Sequence, residues 1–247
     1  MVTTCPSCQQ SVDTASFNNC PVCGWKFHTG GGNGPSIVKP AVRPKIQAEV
    51  DLGIPVDRTG SSKQFQTGIP MSLEMILRQV NAKARSVKCW LGSHGDLDEG
   101  QPFILHTDGG TSEQAIEDVK KIVYGGGGDP PEHHLDAIET LLKTVPWTRD
   151  PSRAHGAIIA FLTADTKPTK SGITAKQLGA EIKKQGVFLY LICEPTPTLM
   201  ELADAAEGLM FEITNTPDAT ELQRIASQVA ASIVVMAGSG KTEPMTK

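Results

Sequence analysis

Apolar and polar positions alternate at two different periods along this 247-residue chain and divide most of it into strands and helices. Apolar residues at every second position over 50–56 predict a buried strand, and a continuous apolar run over 156–164 predicts a central strand buried on both faces. Further strands are predicted at 87–91, 103–106, 187–193 and 209–213, and helices around 73–80, 116–119, 134–142, 174–184, 198–206 and 218–237.

Strands and helices alternate from Ala48 onward, which is the order of a mostly parallel sheet with helices on both faces. The strands at 87–91 and 103–106 are separated by a connection short enough for an antiparallel hairpin. We therefore predict an α/β fold of the doubly wound, Rossmann-like type. Its six-stranded, mostly parallel sheet would have one antiparallel edge strand.

A C-x2-C-x11-C-x2-C pattern opens the chain and predicts a small N-terminal zinc ribbon with structural Zn²⁺. Its four cysteines are Cys5, Cys8, Cys20 and Cys23. Two disulfides are the alternative, but disulfides need an oxidising compartment. Cys89 and Cys193 lie inside apolar runs, and we expect them to be inert buried thiols.

Composition divides the chain into four parts: a zinc ribbon at 1–28, a Gly/Pro-rich linker at 29–47, the α/β domain at 48–237 and a tail at 238–247. The formal net charge is −4, and 39% of residues are hydrophobic, enough for an ordinary core. Neither a signal-type apolar region nor a membrane-length apolar run is found, so we expect a cytoplasmic protein without a membrane segment.

Three side chains with hard oxygen donors follow the first strand of the α/β domain. Asp57, Thr59 and Ser61 are two residues apart, which places one carboxylate and two hydroxyls near the carboxyl edge of the sheet. Such oxygens suit Mg²⁺, although an Asp or Thr after a strand is also a common turn former or helix cap.

Two further loops carry acidic residues that could likewise be either metal ligands or ordinary turn and helix-end residues. Asp129 and Glu132 follow a run of four glycines, and either residue could favour a helix N-terminus instead of a metal. Asp165 follows the predicted central strand and could be a turn residue.

Together, the three loops resemble the metal-ion-dependent adhesion site of von Willebrand factor type A (vWA) domains. The resemblance covers residues 48–236, and the sequence GGGGDPPEHHLDAI is most similar to the subgroup that includes the integrin β I-like domains. It implies a Mg²⁺ site with hydroxyl ligands from Thr59 and Ser61 and with Asp57 bound directly or through water. Glu132 or Asp129 would come from the second loop, and Asp165 would act through water. One position would remain for a partner's carboxylate.

Two other residues compete for places in that site. Asp108, in FILHTDGG, resembles the third-loop sequence of the family, but an antiparallel edge strand would place it at the opposite edge from Asp57. Thr111 is a rival for the second loop, and it or Ser112 could instead cap a helix. Pro55 before Asp57 and Arg58 after it depart from the family pattern.

We therefore expect a non-catalytic adaptor that binds an Asp or Glu of another protein through Mg²⁺. The resemblance to bacterial-type vWA proteins implies partners such as AAA+ ATPases, kinases or phosphatases, and stress or defence proteins. The alternative is a nucleic-acid-associated assembly factor that uses the ribbon and the basic residues Lys39, Arg43 and Lys45. A metal-dependent hydrolase would need a general base, and we expect His133 and His134 to be exposed helix histidines instead.

Overall fold

The computed structural model describes residues 2–4, 11–13, 48–127, 130–148, 150, 152, 154–214 and 217–239. The chain divides into two units, Met1–Pro44 and Lys45–Lys247. In the first unit, β1 (Val2–Thr4) and β2 (Ser11–Asp13) pair antiparallel. The four ribbon cysteines, the linker at 29–47 and Asp129 lie outside the described residues.

The second unit alternates strands and helices. Its strands are β3 (Glu49–Asp57), β4 (Ser86–His94), β5 (Ile104–Gly110), β6 (Ala154–Phe161), β7 (Val187–Cys193) and β8 (Leu209–Glu212). Its helices are α1 (Gly68–Lys83), α2 (Ser112–Val119), α3 (His134–Thr144), α4 (Ala175–Lys184), α5 (Pro197–Ala206) and α6 (Ala219–Ser239). Short 3₁₀ helices occupy Ser61–Phe65 and Leu97–Glu99.

The described strands of this unit form one sheet in the order β5-β4-β3-β6-β7-β8. All neighbours in this sheet are parallel except β4 and β5, which are antiparallel. The predicted sheet, with six strands and one antiparallel edge strand, is therefore confirmed. The change of direction along the strand order falls between β3 and β6, which are parallel, so their carboxyl ends lie side by side at one edge of the sheet.

Helices cover the two faces of the sheet with separate apolar cores. One core joins β3 to residues of α1, α2 and α6, and the other joins β6 and β7 to residues of α3, α4 and α5. Cys89 and Cys193 are free and buried in these cores, and burial raises the pKa of both thiols to about 12. The expectation that both thiols are buried is confirmed.

Strand β3 is apolar on one face only. Val50, Leu52, Ile54 and Val56 all belong to the first core, and the alternating positions on the other face include Gly53. There the Trp147 ring packs so closely that a Cβ on Gly53 would lie 3.0 Å from it. The strand runs through Pro55, and the β3–β6 pairing skips Ile54 and Pro55 before it resumes at Val56 and Phe161.

The predicted helices and strands are confirmed with shifts of a few residues at their ends. Thr111 caps α2, and Thr174 closes a capping box on α4. One boundary matters for the site. The apolar run over 156–164 predicted that Asp165 directly follows the strand. Strand β6 instead ends at Phe161, so Asp165 lies well into the following loop.

Helices α4 and α5 pack closely at Gly179. A Cβ there would lie 2.6 Å from the Leu202 carbonyl oxygen and 2.7 Å from Ala205 Cβ. We expect Gly179→Ala to lower the free energy of unfolding by about 1–3 kcal/mol, because the overlap with fixed backbone atoms outweighs a helix-propensity gain of about 1 kcal/mol. Chemical denaturation measures the change. Lys176→Ala, at an exposed position of the same helix, is the control and should stay within about 0.5 kcal/mol of wild type. A Gly179→Ala protein as stable as wild type would contradict the prediction.

Candidate functional site

The candidate site lies at the carboxyl edge of the sheet, where the loops after β3 and β6 meet. Asp57 is the last residue of β3 and is fully buried. Its Oδ1 accepts a hydrogen bond from the Thr59 amide at 2.9 Å, and its Oδ2 accepts one from Thr163 Oγ1 at 2.6 Å. The first bond is an Asx turn, which directs the chain back toward the carboxylate immediately after the strand.

Four hydroxyls form a cluster beside this carboxylate. Ser62 Oγ lies 2.7 Å from Thr163 Oγ1, and Thr59 Oγ1 lies 2.8 Å from Ser61 Oγ. Since Thr163 donates its single hydroxyl hydrogen to Asp57, Ser62 must donate to Thr163. Thr59 and Ser62 are buried, whereas Ser61 is exposed. Because Thr59 Oγ1 and Ser62 Oγ are 3.4 Å apart, the cluster is a chain of oxygen atoms that leads from the buried carboxylate to the surface.

The glycine-rich second loop packs against this cluster through its backbone. The Gly125 amide donates to the Arg58 carbonyl oxygen at 2.9 Å, and the Gly60 amide donates to the Gly126 carbonyl oxygen at 2.7 Å. Gly126 and Gly127 adopt positive φ angles of 71° and 80°, which glycine tolerates best. The glycines thus allow the second loop to lie directly over the first.

Glu132 of the second loop is close to the cluster and is 2% exposed. A Cβ on Gly127 would lie 2.9 Å from Thr59 Cβ and 3.4 Å from Glu132 Oε1, so Thr59 and Glu132 are near neighbours. The Glu132 amide also donates to the Asp165 carbonyl oxygen at 2.9 Å. The Lys167 amide donates to the Glu132 carbonyl oxygen at 2.8 Å, which joins the second loop to the third.

The structure brings Asp57, Thr59 and Ser61 together but turns the Asp165 carboxylate toward α5. Asp165 Oδ1 accepts hydrogen bonds from Thr196 Oγ1 at 2.7 Å and from the Thr166 amide at 2.9 Å. The third-loop side chain in contact with Asp57 is Thr163.

The two rival residues are outside the cluster. Asp108 is exposed on β5, whose antiparallel register pairs its neighbour Thr107 with Leu91, while Asp57 pairs with His94 at the end of β4. Thr111 accepts a hydrogen bond from the Gln114 amide as the cap of α2. Asp108 therefore lies on the antiparallel edge strand, as predicted, and Thr111 takes the alternative role of a helix cap.

A pair of buried histidines lies beneath the cluster. His94 Nε2 is 2.8 Å from His134 Nδ1, and the two residues are 2% and 0% exposed. The expectation that His133 and His134 are exposed helix histidines is wrong, since His133 is also only 2% exposed. Both residues pack inward where α3 begins beside the ends of β4 and β6. The sequence around two adjacent histidines at a helix start does not indicate whether their side chains are buried.

The charges in this buried region follow from burial and from the hydrogen-bond donors. Burial lowers the pKa of both imidazoles, that of His94 to about 3, so both are neutral at pH 7. Burial opposes the ionisation of Asp57, but the nearby His134 and His94 and the Thr163 hydroxyl outweigh it and lower its pKa to about 2. Because the imidazoles are neutral at pH 7, the negative charge of Asp57 is stabilised at that pH by its hydroxyl and amide hydrogen-bond donors.

A second polar cluster is formed by two aspartates of the loop between β4 and β5 and by His133 at the start of α3. Ligand-type atoms of Asp96, Asp98 and His133 lie within 4.8 Å of one another, and this cluster could hold a metal ion. It already has cationic partners. Lys167 Nζ lies 2.8 Å from Asp98 Oδ2 and 3.4 Å from Asp96 Oδ2, and Lys170 pairs with Asp98 as well.

The donor chemistry of the first cluster fits a hard divalent cation. One buried ionised carboxylate, two hydroxyls at the predicted ligand positions and a nearby glutamate are all oxygen donors, which Mg²⁺ prefers. Residues of the cluster that the sequence reasoning missed are Ser62 and Thr163. Their only local signals are the hydroxyl next to Ser61 and the hydroxyl two residues after the β6 strand.

The sheet order and the polar cluster at its carboxyl edge define a doubly wound α/β protein with a candidate cation site. Among solved structures, the crystal structure of the SpRpn10 VWA domain is similar, with a TM-score of 0.57 and 15% sequence identity. The similarity covers 73% of this chain and 95% of that one. No protein-family model and no curated protein matches. The chain therefore has a vWA-like fold, as the resemblance in sequence implied. Within the described residues, no helix is long and apolar enough to cross a membrane.

The buried imidazoles predict a specific pH dependence of stability. The unfolded chain binds protons at its histidines below about pH 6.5, but folded His94 stays neutral until about pH 3. Stability contributed by neutral His94 is therefore lost as the pH falls below about 6.5. We expect His94→Gln, whose side-chain amide can either donate to or accept from His134, to reduce the slope of unfolding free energy against pH by about 1.4 kcal/mol per pH unit between pH 6 and 4.5.

Urea denaturation at several pH values measures this difference. The two proteins should have parallel profiles above pH 7, where the histidines are neutral in both the folded and the unfolded chain. Profiles that stay parallel down to pH 4.5 would show that folded His94 takes up a proton like an ordinary histidine.

Proposed function

We propose that the vWA-like unit binds a divalent cation at Asp57, Thr59 and Ser61, and that this cation is Mg²⁺. The observation that carries this proposal is the single oxygen cluster formed by a fully buried, ionised carboxylate and hydroxyls that reach the surface at Ser61. Glu132, or Asp129 outside the described residues, is the second-loop ligand in this proposal. Asp165 acts through water.

The ion would bind a carboxylate of another protein. Hydroxyl ligands fill coordination positions without neutralising the charge of the ion. Because Ser61 is exposed, the free coordination position of the ion would face the protein surface. A partner's Asp or Glu is then the natural remaining ligand. The first partners to test are those that the resemblance implies: AAA+ ATPases, kinases or phosphatases, and stress or defence proteins.

We further propose that the protein is a non-catalytic adaptor with structural Zn²⁺ at Cys5, Cys8, Cys20 and Cys23. The burial of His94, His133 and His134 supports a non-catalytic role, because a general base must reach the substrate proton directly or through one water. In this proposal the imidazoles are part of the protein interior beneath the cation.

Magnesium should stabilise the full chain. At a concentration one hundred times the dissociation constant, a single-site ligand adds about 2.7 kcal/mol, which corresponds to a rise in Tm of about 5–10 °C for a domain of this size. We expect this rise in thermal unfolding of the wild-type chain with millimolar Mg²⁺, and its loss in the Asp57→Ala/Ser61→Ala variant.

The matched control is Asp150→Ala/Ser152→Ala. It also removes one carboxylate and one hydroxyl from a single loop, but Asp150 and Ser152 are both exposed outside the site. The control protein should keep the full Mg²⁺-dependent rise. A wild-type Tm that does not change with millimolar Mg²⁺ would exclude the magnesium site.

Partner capture should depend on the same ion. Using the wild-type chain as bait, we expect at least one interacting protein to be retained with Mg²⁺ and released by EDTA, because chelation removes the bridge between the two proteins. The Ser61→Ala bait should lose that protein, and the Ser152→Ala bait should retain it. Retention that is insensitive to both EDTA and Ser61→Ala would contradict the bridging role.

A further inference from the structure

Asp96 is a buried carboxylate with an unusual number of partners. It is 2% exposed, although it lies in the loop that connects β4 to β5. Its Oδ1 lies 2.7 Å from His133 Nδ1 and accepts the Asp98 amide at 2.8 Å, while its Oδ2 faces Lys167 Nζ at 3.4 Å. Burial opposes its ionisation, but the Asp98 amide and Lys167 hold the pKa of Asp96 below its ordinary value.

The side-chain partners of Asp96 belong to the two loops that complete the candidate site. His133 directly follows Glu132, and Lys167 follows Asp165 by two residues. These two loops are already joined by the backbone hydrogen bonds between Glu132 and Asp165 and between Lys167 and Glu132. Asp96 therefore contacts a side chain on each side of this backbone bridge.

Lysine supplies the positive charge in this cluster. Lys167 Nζ contacts both Asp96 and Asp98, and its side chain is 26% exposed. A metal ion held by both carboxylates would have to displace that ammonium group. The contacts thus support a role in which Lys167 and His133 are the partners of Asp96, and in which Lys170 adds only a surface pair with Asp98.

We infer that Asp96 is a positioning residue for the cation site: through His133 and Lys167 it fixes the loops that carry Glu132 and Asp165. This inference rests on the proposed function. Residues that orient metal ligands from outside typically affect metal affinity by 10–100-fold when they are replaced. Asp96 would act in this way on both loops at once.

The test compares Mg²⁺ dissociation constants, measured by isothermal titration calorimetry on the full chain, with the Tm of each protein in EDTA. We expect Asp96→Asn and Lys167→Met each to raise the dissociation constant about tenfold. The two variants change the local charge in opposite directions. A purely electrostatic effect would weaken Mg²⁺ binding in the first and strengthen it in the second, whereas loss of loop positioning weakens it in both.

Lys170→Met is the matched control. It removes the same charge as Lys167→Met from a side chain that is 54% exposed and pairs with Asp98, and it should leave the dissociation constant within about twofold of wild type. A merely structural role for Asp96 would lower the Tm in EDTA and leave the Mg²⁺ dissociation constant unchanged, and that result would overturn the inference.

The remaining outcomes also separate the two proposals. Wild-type chain that binds no Mg²⁺ contradicts the proposed function, and the inference fails with it. Wild-type binding with an unchanged Lys167→Met dissociation constant contradicts the inference alone, and this result stays decisive even if Asp96→Asn does not fold.

Discussion

The arrangement at the carboxyl edge of the sheet depends on one buried negative charge. Asp57 ends the central strand β3 with no exposure, and a carboxylate in that position must be satisfied by donors or become neutral. Its donors come from the turn that follows β3 and from Thr163 after β6. Because adjacent parallel strands end side by side, the fold brings these two segments together, and the carboxylate then fixes their relative positions.

The hydrophobic periodicity of the sequence was sufficient to predict the fold. The alternation over 50–56 and the apolar run over 156–164 correspond to β3 and β6 at the centre of the sheet, and the short connection after 87–91 correctly predicted the antiparallel β5. These signals are local and are repeated along each strand or helix, so an error of a few residues at the end of one element does not change the prediction of the next. Even Pro55, an unusual residue in a central strand, changes only the pairing with β6 and leaves the strand intact.

The details of the site were less predictable, because they depend on where an element ends and on contacts between distant segments. The apolar run through Leu162 and Thr163 hid the end of β6 at Phe161, so the sequence suggested Asp165 where the structure has Thr163 beside Asp57. The burial of His133 and its contact with Asp96 join residues from separate loops. A local pattern carries no information about such a pair, since each member alone has the spacing of an ordinary surface residue.

The two polar clusters at this edge balance their charges by different means, and this difference supports the different roles that we propose for them. Around Asp57 the nearest groups are hydroxyls, which are neutral, so a cation held there keeps more of its charge than one enclosed by carboxylates and can attract an acidic ligand from outside. Around Asp96 the charge is already balanced by lysine, and a cation gains little by entering. The second cluster can therefore hold the loops in place without competing for the ion that the first cluster is proposed to bind.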